Sequence, residues 1–268
     1  MDLMTAEFNR TIKFADVVGL APRILQKSIV KGKRHFLLAG PPGIGKTLQA
    51  KLGTMLIMCL DSRGEEPCGV CDNCIKVARA FRSGGCLKPT PSFHIDGIRS
   101  GWVYLNVGKV NADDIQKFFN DWNLYNRVWA TCGDCFPGGY DPSVLVVSEI
   151  HYAEARVRRY LQDIFEQRSS YGIIACLTQE AAAGNVEEAL TQRLQHIQIG
   201  HPSIDSLAPW IANVASRYGL VLAAPNIAAE IARQAQRNYR QILNLMTSLI
   251  AFGQPVTAGV LRDIVEGA

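Results

Sequence analysis

The sequence predicts an α/β fold, with a parallel sheet covered by helices on both faces and a small helical region after it. Over residues 1–200, short apolar runs suited to buried strands alternate with helix-like segments, which is the order typical of a parallel sheet. Residues 203–268 show helical periodicity alone. We therefore expect two domains, residues 1–202 and residues 203–268, and strands at residues 36–39, 92–96, 144–147, 172–177 and 196–199.

Two segments interrupt the alternation in the first domain. Residues 59–86 form a cysteine-rich excursion. Residues 97–143 are irregular and rich in glycine, asparagine and aromatic residues, with one helix expected at residues 112–123. We interpret this second segment as an insertion.

Four helices are expected in the second domain. Ser203 or Asp205 can cap the first, and Pro225 with Asn226 can start the second. Apolar side chains at helical spacing predict a third helix over residues 239–252, and Thr257 can cap a short last one.

The composition is that of an ordinary globular chain, with 268 residues, 48% hydrophobic and 19% charged. The first residues lack a basic segment followed by an apolar one, and no apolar run approaches the ~18 residues that a membrane span needs. These observations predict a cytoplasmic protein with no membrane partner. In that compartment eight cysteines favour metal binding or reactive thiols over a disulfide framework.

The net charge of +4 permits nucleic-acid binding without indicating it. Two clusters of basic residues are candidates for such contact, and a solvated surface is the alternative for both. They are Lys27, Lys31, Lys33 and Arg34 in one cluster and Arg156, Arg158 and Arg159 in the other.

One run matches the phosphate-binding pattern GxxxxGK[ST] at every required position: Gly40, Pro41, Pro42, Gly43, Ile44, Gly45, Lys46 and Thr47. It follows a predicted strand and precedes a helix-like segment, which is the context the motif requires. Glycines let backbone amides point inward to an anion, and the helix N-terminus adds its positive dipole end. Lys46 is expected to reach the β- and γ-phosphates and Thr47 to ligate Mg²⁺. A tight turn without a ligand is the alternative.

Four cysteines have the spacing of a structural zinc site: Cys59, Cys68, Cys71 and Cys74. Four thiolates can surround one Zn²⁺ tetrahedrally and leave no open position for chemistry. Free thiols are the alternative. A second pair, Cys132 and Cys135, also has CxxC spacing, and it fits a second metal site, a redox pair or plain loop thiols.

Together these residues resemble the AAA+ ATPase subunits of bacterial DNA polymerase III clamp loaders, of the gamma/tau and delta-prime type, over nearly the whole chain. The cysteine module has that family's spacing and position. Residues 14–19, preceded by Arg10, resemble its adenine-binding segment, which makes Arg10, Val17 and Val18 candidate nucleotide contacts. The resemblance implies an AAA+ P-loop NTPase sheet with a zinc-knuckle insertion, followed by a helical lid domain. The match to the family ends with the lid domain at Ala268. The family's subunits have a further helical collar domain, which holds their pentamers together.

Residues 144–151 occupy the family's Walker B place. Glu149 matches the carboxylate that orients the attacking water. Ser148 replaces the aspartate that holds the water shell of Mg²⁺, and a hydroxyl is a much weaker magnesium partner than a carboxylate. ATP hydrolysis is therefore expected to be weakened more than ATP binding.

Three further residues match nucleotide-reading positions of the family. Thr178 aligns with the polar sensor of the γ-phosphate. Arg193 matches the arginine that reaches a neighbouring subunit's ATP, as an arginine finger does, with a surface arginine as the alternative. Arg240 matches the lid arginine that senses ATP within its own subunit, with an exposed helix residue as the alternative.

The resemblance implies a clamp-loader-like subunit that binds ATP and Mg²⁺. Such a subunit acts as a nucleotide-driven switch on DNA and on a protein partner, in DNA replication or related DNA transactions. Its expected partners are other AAA+ or clamp-loader-like subunits in an oligomer, DNA, and a sliding clamp as a candidate. Two alternatives stay open. One is a weakly or non-hydrolysing scaffold subunit of the delta-prime kind. The other is a clamp-loader-like ATPase of a mobile element, phage or defence system.

Overall fold

The computed structural model describes residues 2–11, 13–62, 65–82, 102–106, 113, 116, 144–148, 150–152, 154–166, 172–178, 193–253 and 255–267. The helices that accompany the sheet are α1 (Leu3–Arg10), α2 (Leu20–Val30), α3 (Lys46–Met58), α4 (Asp72–Arg82) and α5 (Ala155–Glu166). The strands are β1 (His35–Gly40), β2 (Trp102–Asn106), β3 (Val144–Ser148), β4 (Gly172–Thr178) and β5 (Gln195–Gln198). The last helices are α6 (Ile204–Arg217), α7 (Asn226–Gln234), α8 (Tyr239–Phe252) and α9 (Ala258–Glu266).

The five strands form one parallel sheet in the order β2-β3-β4-β1-β5. In the register of the central strand, Leu38 lies opposite Cys176 on one side and Ile197 on the other. β3 and β4 are buried almost throughout, as expected for strands covered on both faces. Because Gly40 pairs with Thr178, the carboxyl ends of β1 and β4 meet at the same edge of the sheet.

Four of the five predicted strands are confirmed to within about one residue at each end. The fifth, at residues 92–96, lies outside the described residues. Residues 97–143 were predicted to be irregular apart from one helix, and this is wrong for residues 102–106, which form the edge strand β2 paired with β3. Only residues 113 and 116 of the helix expected at 112–123 are described, and both are helical.

The four predicted helices of the second domain are present, and their caps agree with the sequence. Ser203, not Asp205, caps α6 by accepting a hydrogen bond from the amide of Ser206. The Thr257 hydroxyl caps α9 in the same way from Val260. α7 begins after Pro225 without a side-chain cap.

Two hydrophobic clusters divide the described core. One surrounds the sheet, α2, α3 and α4, and the other joins the last four helices. Leu3 of α1 belongs to the second cluster, although it lies about two hundred residues from its partners in sequence. Tyr239 packs against both clusters.

A buried lysine fastens α1 to the helix after the phosphate-binding motif. Lys51 on α3 is fully buried, and its ammonium donates to the backbone carbonyls of Phe8 and Thr11, the latter at 2.9 Å. The ammonium also lies 4.7 Å from the centroid of the Phe8 ring. These contacts satisfy the carboxyl end of α1, where cations are favoured.

Among the described helices, none combines the length and apolar character that crossing a membrane would require.

Candidate nucleotide site and cysteine cluster

The phosphate-binding motif forms the turn between β1 and α3, at the carboxyl edge of the sheet. Gly40 ends β1 so close to the neighbouring chain segment that a Cβ there would lie 2.4 Å from the carbonyl oxygen of Ile199. Gly43 has a φ of +76°, in the left-handed region that residues with a Cβ rarely adopt. The sequence needs glycine at both positions, for close approach at the first and for backbone conformation at the second.

The Lys46 side chain lies inside this loop. Its ammonium donates hydrogen bonds of 2.8 Å to the carbonyls of Gly40 and Pro41, and the residue is 7% exposed. Lys46 is also the first residue of the 13-residue helix α3. A buried cation and a helix N-terminus therefore meet at one place, and this combination attracts phosphate.

A cavity of about 440 Å³ opens from the loop towards α1 and the last four helices. Its polar end carries Thr47, Thr178 and Arg240. Its other end is largely apolar, with Met4 and Phe8 from α1, Trp210 from α6, and Leu243 from α8. A cavity with one phosphate-binding end and one apolar end suits a nucleotide, whose base is flat and largely apolar.

The N-terminus of α8 is docked on the phosphate loop. The Asn238 side chain caps α8 by accepting from the amides of Arg240 and Gln241, and its Nδ2 donates to the Pro42 carbonyl at 2.8 Å. The Arg240 amide also lies 3.3 Å from the carbonyl oxygen of Gly43. The guanidinium of Arg240 is thereby carried to the rim of the cavity on a helix fixed to the loop.

Tyr239 connects α8 to the segment before α2. Its hydroxyl donates to the Val18 carbonyl at 2.7 Å, and its ring meets Trp210 edge to face, with centroids 5.2 Å apart. Burial raises the pKa of Tyr239 well above its usual value. The hydroxyl keeps its proton and remains a hydrogen-bond donor.

The turn that leads into α8 is strained. Gln236 and Arg237 have φ values of 51° and 57°, although both carry a Cβ. Such residues cost on the order of 1 kcal/mol each and persist only where surrounding contacts hold them. Here the turn sets the position of Asn238, whose amide donates to the carbonyl of Ala235.

Ser148 ends β3 and is 2% exposed. Among the described cavity-lining residues, the only carboxylates belong to Glu7 and Asp16. Glu7 is already engaged, because it pairs with Arg217 at 2.7 Å and accepts from the Tyr218 hydroxyl at 3.0 Å. Among the described lining residues, oxygen ligands for Mg²⁺ thus include the Thr47 hydroxyl and the Asp16 carboxylate, and the triphosphate and water would supply further oxygens.

The sulfur atoms of Cys59, Cys68, Cys71 and Cys74 all lie within 4.8 Å of one another. A tetrahedral zinc site with Zn–S bonds of about 2.3 Å requires sulfur separations of about 3.8 Å, so small shifts would close the cluster on a metal. The Cys68 amide donates to the Cys59 sulfur and the Cys71 amide to the Cys68 sulfur, each at 3.3 Å. Amide donors of this kind support thiolates, so the donor set fits Zn²⁺.

The thiols of the cluster differ in their affinity for protons. Burial acts to raise the pKa of Cys68, but hydrogen bonds from Val70, Cys71 and the neighbouring thiols outweigh it and lower that pKa to about 7. Burial raises the pKa of Cys74 strongly. A bound metal would offset that cost, since a coordinating thiol gives up its proton to the ion.

Comparisons with known proteins agree with this geometry. No family model matches the sequence. The sequence is similar to DNA polymerase III subunit gamma/tau of Mycobacterium bovis and of Mycobacterium tuberculosis, with 33% identity over 73 residues. That match covers 26% of this chain and 13% of the length of each relative.

The fold is similar to that of the Thermotoga maritima RuvB Holliday junction branch migration motor. The likeness covers 97% of this chain and 73% of that chain, with a TM-score of 0.55 and 15% sequence identity, and a single-residue variant of the same RuvB gives the same values. The likeness shows a shared fold, here a parallel α/β sheet followed by a helical region. The four cysteines form a group that could hold a metal ion such as zinc.

Eight of the predicted site residues line the cavity: Val17, Pro42, Gly43, Gly45, Lys46, Thr47, Thr178 and Arg240. Val18, Gly40 and Pro41 contribute through the backbone carbonyls already described. Ile44 packs in the sheet core and is 1% exposed. Glu149, Cys132 and Cys135 lie outside the described residues.

The structure does not bring two predicted arginines to the cavity wall. Arg10 pairs with Glu7 at 3.4 Å and is half-exposed. Arg193 is exposed in the turn before β5, away from the cavity of its own chain. The role predicted for Arg193, contact with the ATP of a neighbouring subunit, stays a prediction.

Sequence reasoning missed the apolar end of the cavity. Met4, Phe8, Trp210 and Leu243 come from helices at opposite ends of the chain. No local motif marks them, because the cavity forms only when α1 packs against the last four helices.

The two basic clusters differ in the structure. Lys27, Lys31 and Lys33 are exposed, whereas Arg34 donates to the carbonyl of Ile29. In the other cluster Arg156 pairs with Asp113 at 2.9 Å, and Arg159 is exposed. Nucleic-acid contact at either cluster stays a prediction.

Gly43→Ala is expected to lower the free energy of unfolding by about 1–3 kcal/mol. A Cβ there would lie 2.5 Å from the Asn238 Oδ1. The Asn238 side chain cannot move away without disturbing the bonds that Oδ1 accepts from the amides of Arg240 and Gln241 and the bond that Nδ2 donates to the Pro42 carbonyl. Urea unfolding measures the loss. Gly219→Ala is the matched control, because Gly219 has a φ of +70° and nothing within 4 Å of its Cβ position. Equal losses in the two variants would contradict the contact between the loop and α8.

Proposed function

We propose that this chain is an ATP-dependent AAA+ switch of the clamp-loader type, acting on DNA together with other subunits. The observation that carries the proposal is one cavity lined both by Lys46, at the N-terminus of α3, and by Arg240 of α8. Because α8 is hydrogen-bonded to the phosphate loop, a nucleotide in the cavity would touch both parts of the fold at once. This arrangement allows the presence of a γ-phosphate to change how the last four helices sit on the sheet.

In this proposal Lys46 binds the β- and γ-phosphates through charge-assisted hydrogen bonds, exchanging the loop carbonyls for phosphate oxygens. Thr47 would hold Mg²⁺, which neutralises charge on the triphosphate. Thr178 and Arg240, which both line the cavity, read the γ-phosphate. Glu149 orients the attacking water, and Arg193 completes the site of a neighbouring subunit.

The apolar end of the cavity is the proposed base site. Phe8 and Trp210 offer aromatic surface, and Met4 and Leu243 offer aliphatic surface. The Val17 and Val18 segment borders this end, with the Val18 carbonyl held by Tyr239. A flat purine buried there would be stabilised mainly by removal of apolar surface from water, and adenine is the base proposed.

Action on DNA is supported by the names of the similar proteins, a DNA polymerase III subunit and a Holliday junction branch migration motor. Basic residues would have to face the nucleic-acid backbone, and exposed Arg159 with Lys27, Lys31 and Lys33 is available for this. We propose a cytoplasmic oligomer with other AAA+ or clamp-loader-like subunits, with a sliding clamp as a candidate partner.

A second candidate is a scaffold subunit that binds ATP but hydrolyses it weakly or not at all. Buried Ser148 favours it, because a hydroxyl stands where a carboxylate would organise the Mg²⁺ shell. The intact phosphate loop and Arg240 are retained in this alternative, so ATP binding is common to both candidates.

ATP turnover separates the two candidates. We would measure it for the wild type, Ser148→Asp and Ser148→Ala, with and without primed DNA, together with the mass in solution with ATP. The switch predicts turnover by an oligomer that DNA stimulates. The scaffold predicts ATP binding without turnover in the wild type and a gain of about tenfold or more in Ser148→Asp alone, equivalent to about 1.4 kcal/mol. Failure of the wild type to bind ATP would contradict both.

A further inference from the structure

Glu66 of the cysteine-rich module hydrogen-bonds to the segment that borders the cavity. Its carboxylate accepts hydrogen bonds from the backbone amides of Phe14 at 2.7 Å and Ala15 at 3.1 Å. These amides begin the 3-10 turn Phe14–Asp16, whose own N-cap residue, Lys13, gives no side-chain hydrogen bond. A carboxylate 52 residues away in sequence therefore caps this turn.

The same carboxylate is also joined to α2. The side-chain amide of Gln26 donates to Glu66 at 3.0 Å and to the backbone carbonyl of Glu65 at 2.9 Å. Glu65 has a φ of 73°, a conformation that a residue with a Cβ keeps only when its neighbours hold it. Here Gln26 holds it on one side, and buried Pro67 follows on the other.

The capped turn is part of the cavity wall. Phe14 is 1% exposed and packs in the sheet cluster, while Asp16 and Val17 line the cavity. A displacement of the turn would move these two residues against a bound nucleotide. The position of the Glu66 carboxylate therefore bears on the shape of the cavity.

At its other end, Glu66 is close to the cysteine cluster. Cys68 follows it by two residues, and the Cys68 amide donates to the sulfur of Cys59 at the end of α3. The Asn73 side chain ties the same module to α3 by donating to the Met58 carbonyl at 2.9 Å. A metal ion held by the four cysteines would fix Cys68 relative to α3, and would fix Glu66 with it.

We infer that Glu66 is a positioning residue that couples metal binding at the four cysteines to nucleotide binding in the cavity. The inference rests on the proposed function, because it takes the cavity to be an ATP site. Coupling between two sites is reciprocal, so zinc raises the affinity for ATP by the factor by which ATP raises the affinity for zinc. A factor of about 5–20 lies in the lower part of the usual range for coupled sites.

The test is the affinity for a fluorescent ATP analogue with zinc bound and after zinc has been removed by a chelator. In the wild type, zinc removal should weaken binding about 5–20-fold. Glu66→Ala should bind weakly in both states and lose the dependence on zinc. Glu65→Ala is the matched control and should behave as the wild type, because the described contact of Glu65 uses its backbone carbonyl.

Hydrogen exchange gives a second measurement that needs no nucleotide. Zinc removal and Glu66→Ala should each speed exchange at the amides of Phe14 and Ala15 and leave the amides of β1 protected, which also controls for global unfolding. Equal ATP affinities of the wild type with and without zinc, or a wild-type dependence on zinc in Glu66→Ala, would overturn the inference. If the zinc-loaded wild type fails to bind the analogue at all, the proposed function is contradicted. The exchange rates of Phe14 and Ala15 then decide whether metal binding is coupled to the turn through Glu66.

Discussion

Lys46→Ala is expected to weaken ATP binding by about a hundredfold or more, equivalent to about 2.7 kcal/mol. Its ammonium is the buried cation of the phosphate loop, held between the carbonyls of Gly40 and Pro41 where a phosphate would compete for it. A hydrogen bond between charged groups is worth about 1.5–3 kcal/mol, and the low dielectric of a buried site strengthens it. Titration of the purified variant with a fluorescent ATP analogue measures the loss.

Lys27→Ala is the control, because it removes one positive charge from the protein at a position outside the cavity. Lys27 is an exposed lysine on α2 and lies outside the cavity, so its replacement should leave ATP affinity unchanged. Lys46→Ala also removes two hydrogen bonds to the loop, and a thermal melt of both variants separates misfolding from lost binding. ATP affinity that is equal in folded Lys46→Ala and in the wild type would contradict the assignment of the phosphate loop.

Cys71→Ser is expected to reduce the zinc content of the purified protein from about one equivalent to about none. A hydroxyl binds zinc far more weakly than a thiolate, and a tetrahedral site with three thiolates loses much of the free energy that holds the module together. Elemental analysis of the protein after dialysis measures the metal. The rate of amide hydrogen exchange should rise over the described part of residues 59–82 and should stay low in β1 and β4.

Asp72→Asn is the matched control for this experiment. Asp72 lies next to Cys71, carries a potential oxygen ligand and is exposed, but does not belong to the group of four sulfur atoms. It should keep its zinc. A wild type that contains no zinc after expression in zinc-supplemented medium, or a Cys71→Ser variant with a full equivalent, would show that the four cysteines are not a zinc site.

Buried strands were predictable where the sequence is continuously apolar. β3 and β4 read as unbroken runs such as Val144–Ser148, and no other element type fits so short a buried segment. β2 was not predicted, because Trp102–Asn106 lies among glycine and asparagine residues, which are typical of turns. Its aromatic and β-branched residues were the available signal, and pairing with β3 decided the outcome.

The phosphate-binding end of the site was predictable because one local motif encodes it. The opposite end was not, because it depends on contacts between segments about two hundred residues apart. Lys51 illustrates the difficulty: a lysine on a helix is expected to face solvent, yet this one is fully buried and satisfied by the carbonyls of Phe8 and Thr11. Only the packing of α1 against α3 reveals its role.

The position of α1 has a consequence for how the protein is made. Leu3 belongs to the core of the last four helices, and Glu7 pairs with Arg217, 210 residues further along the chain. A ribosome adds about 5–20 residues per second, so roughly 10–40 s separate the synthesis of α1 from that of its partners in the last four helices. During that time Leu3 lacks the core that buries it in the finished fold, so we expect the docking of α1 on the last four helices to be a late step of folding.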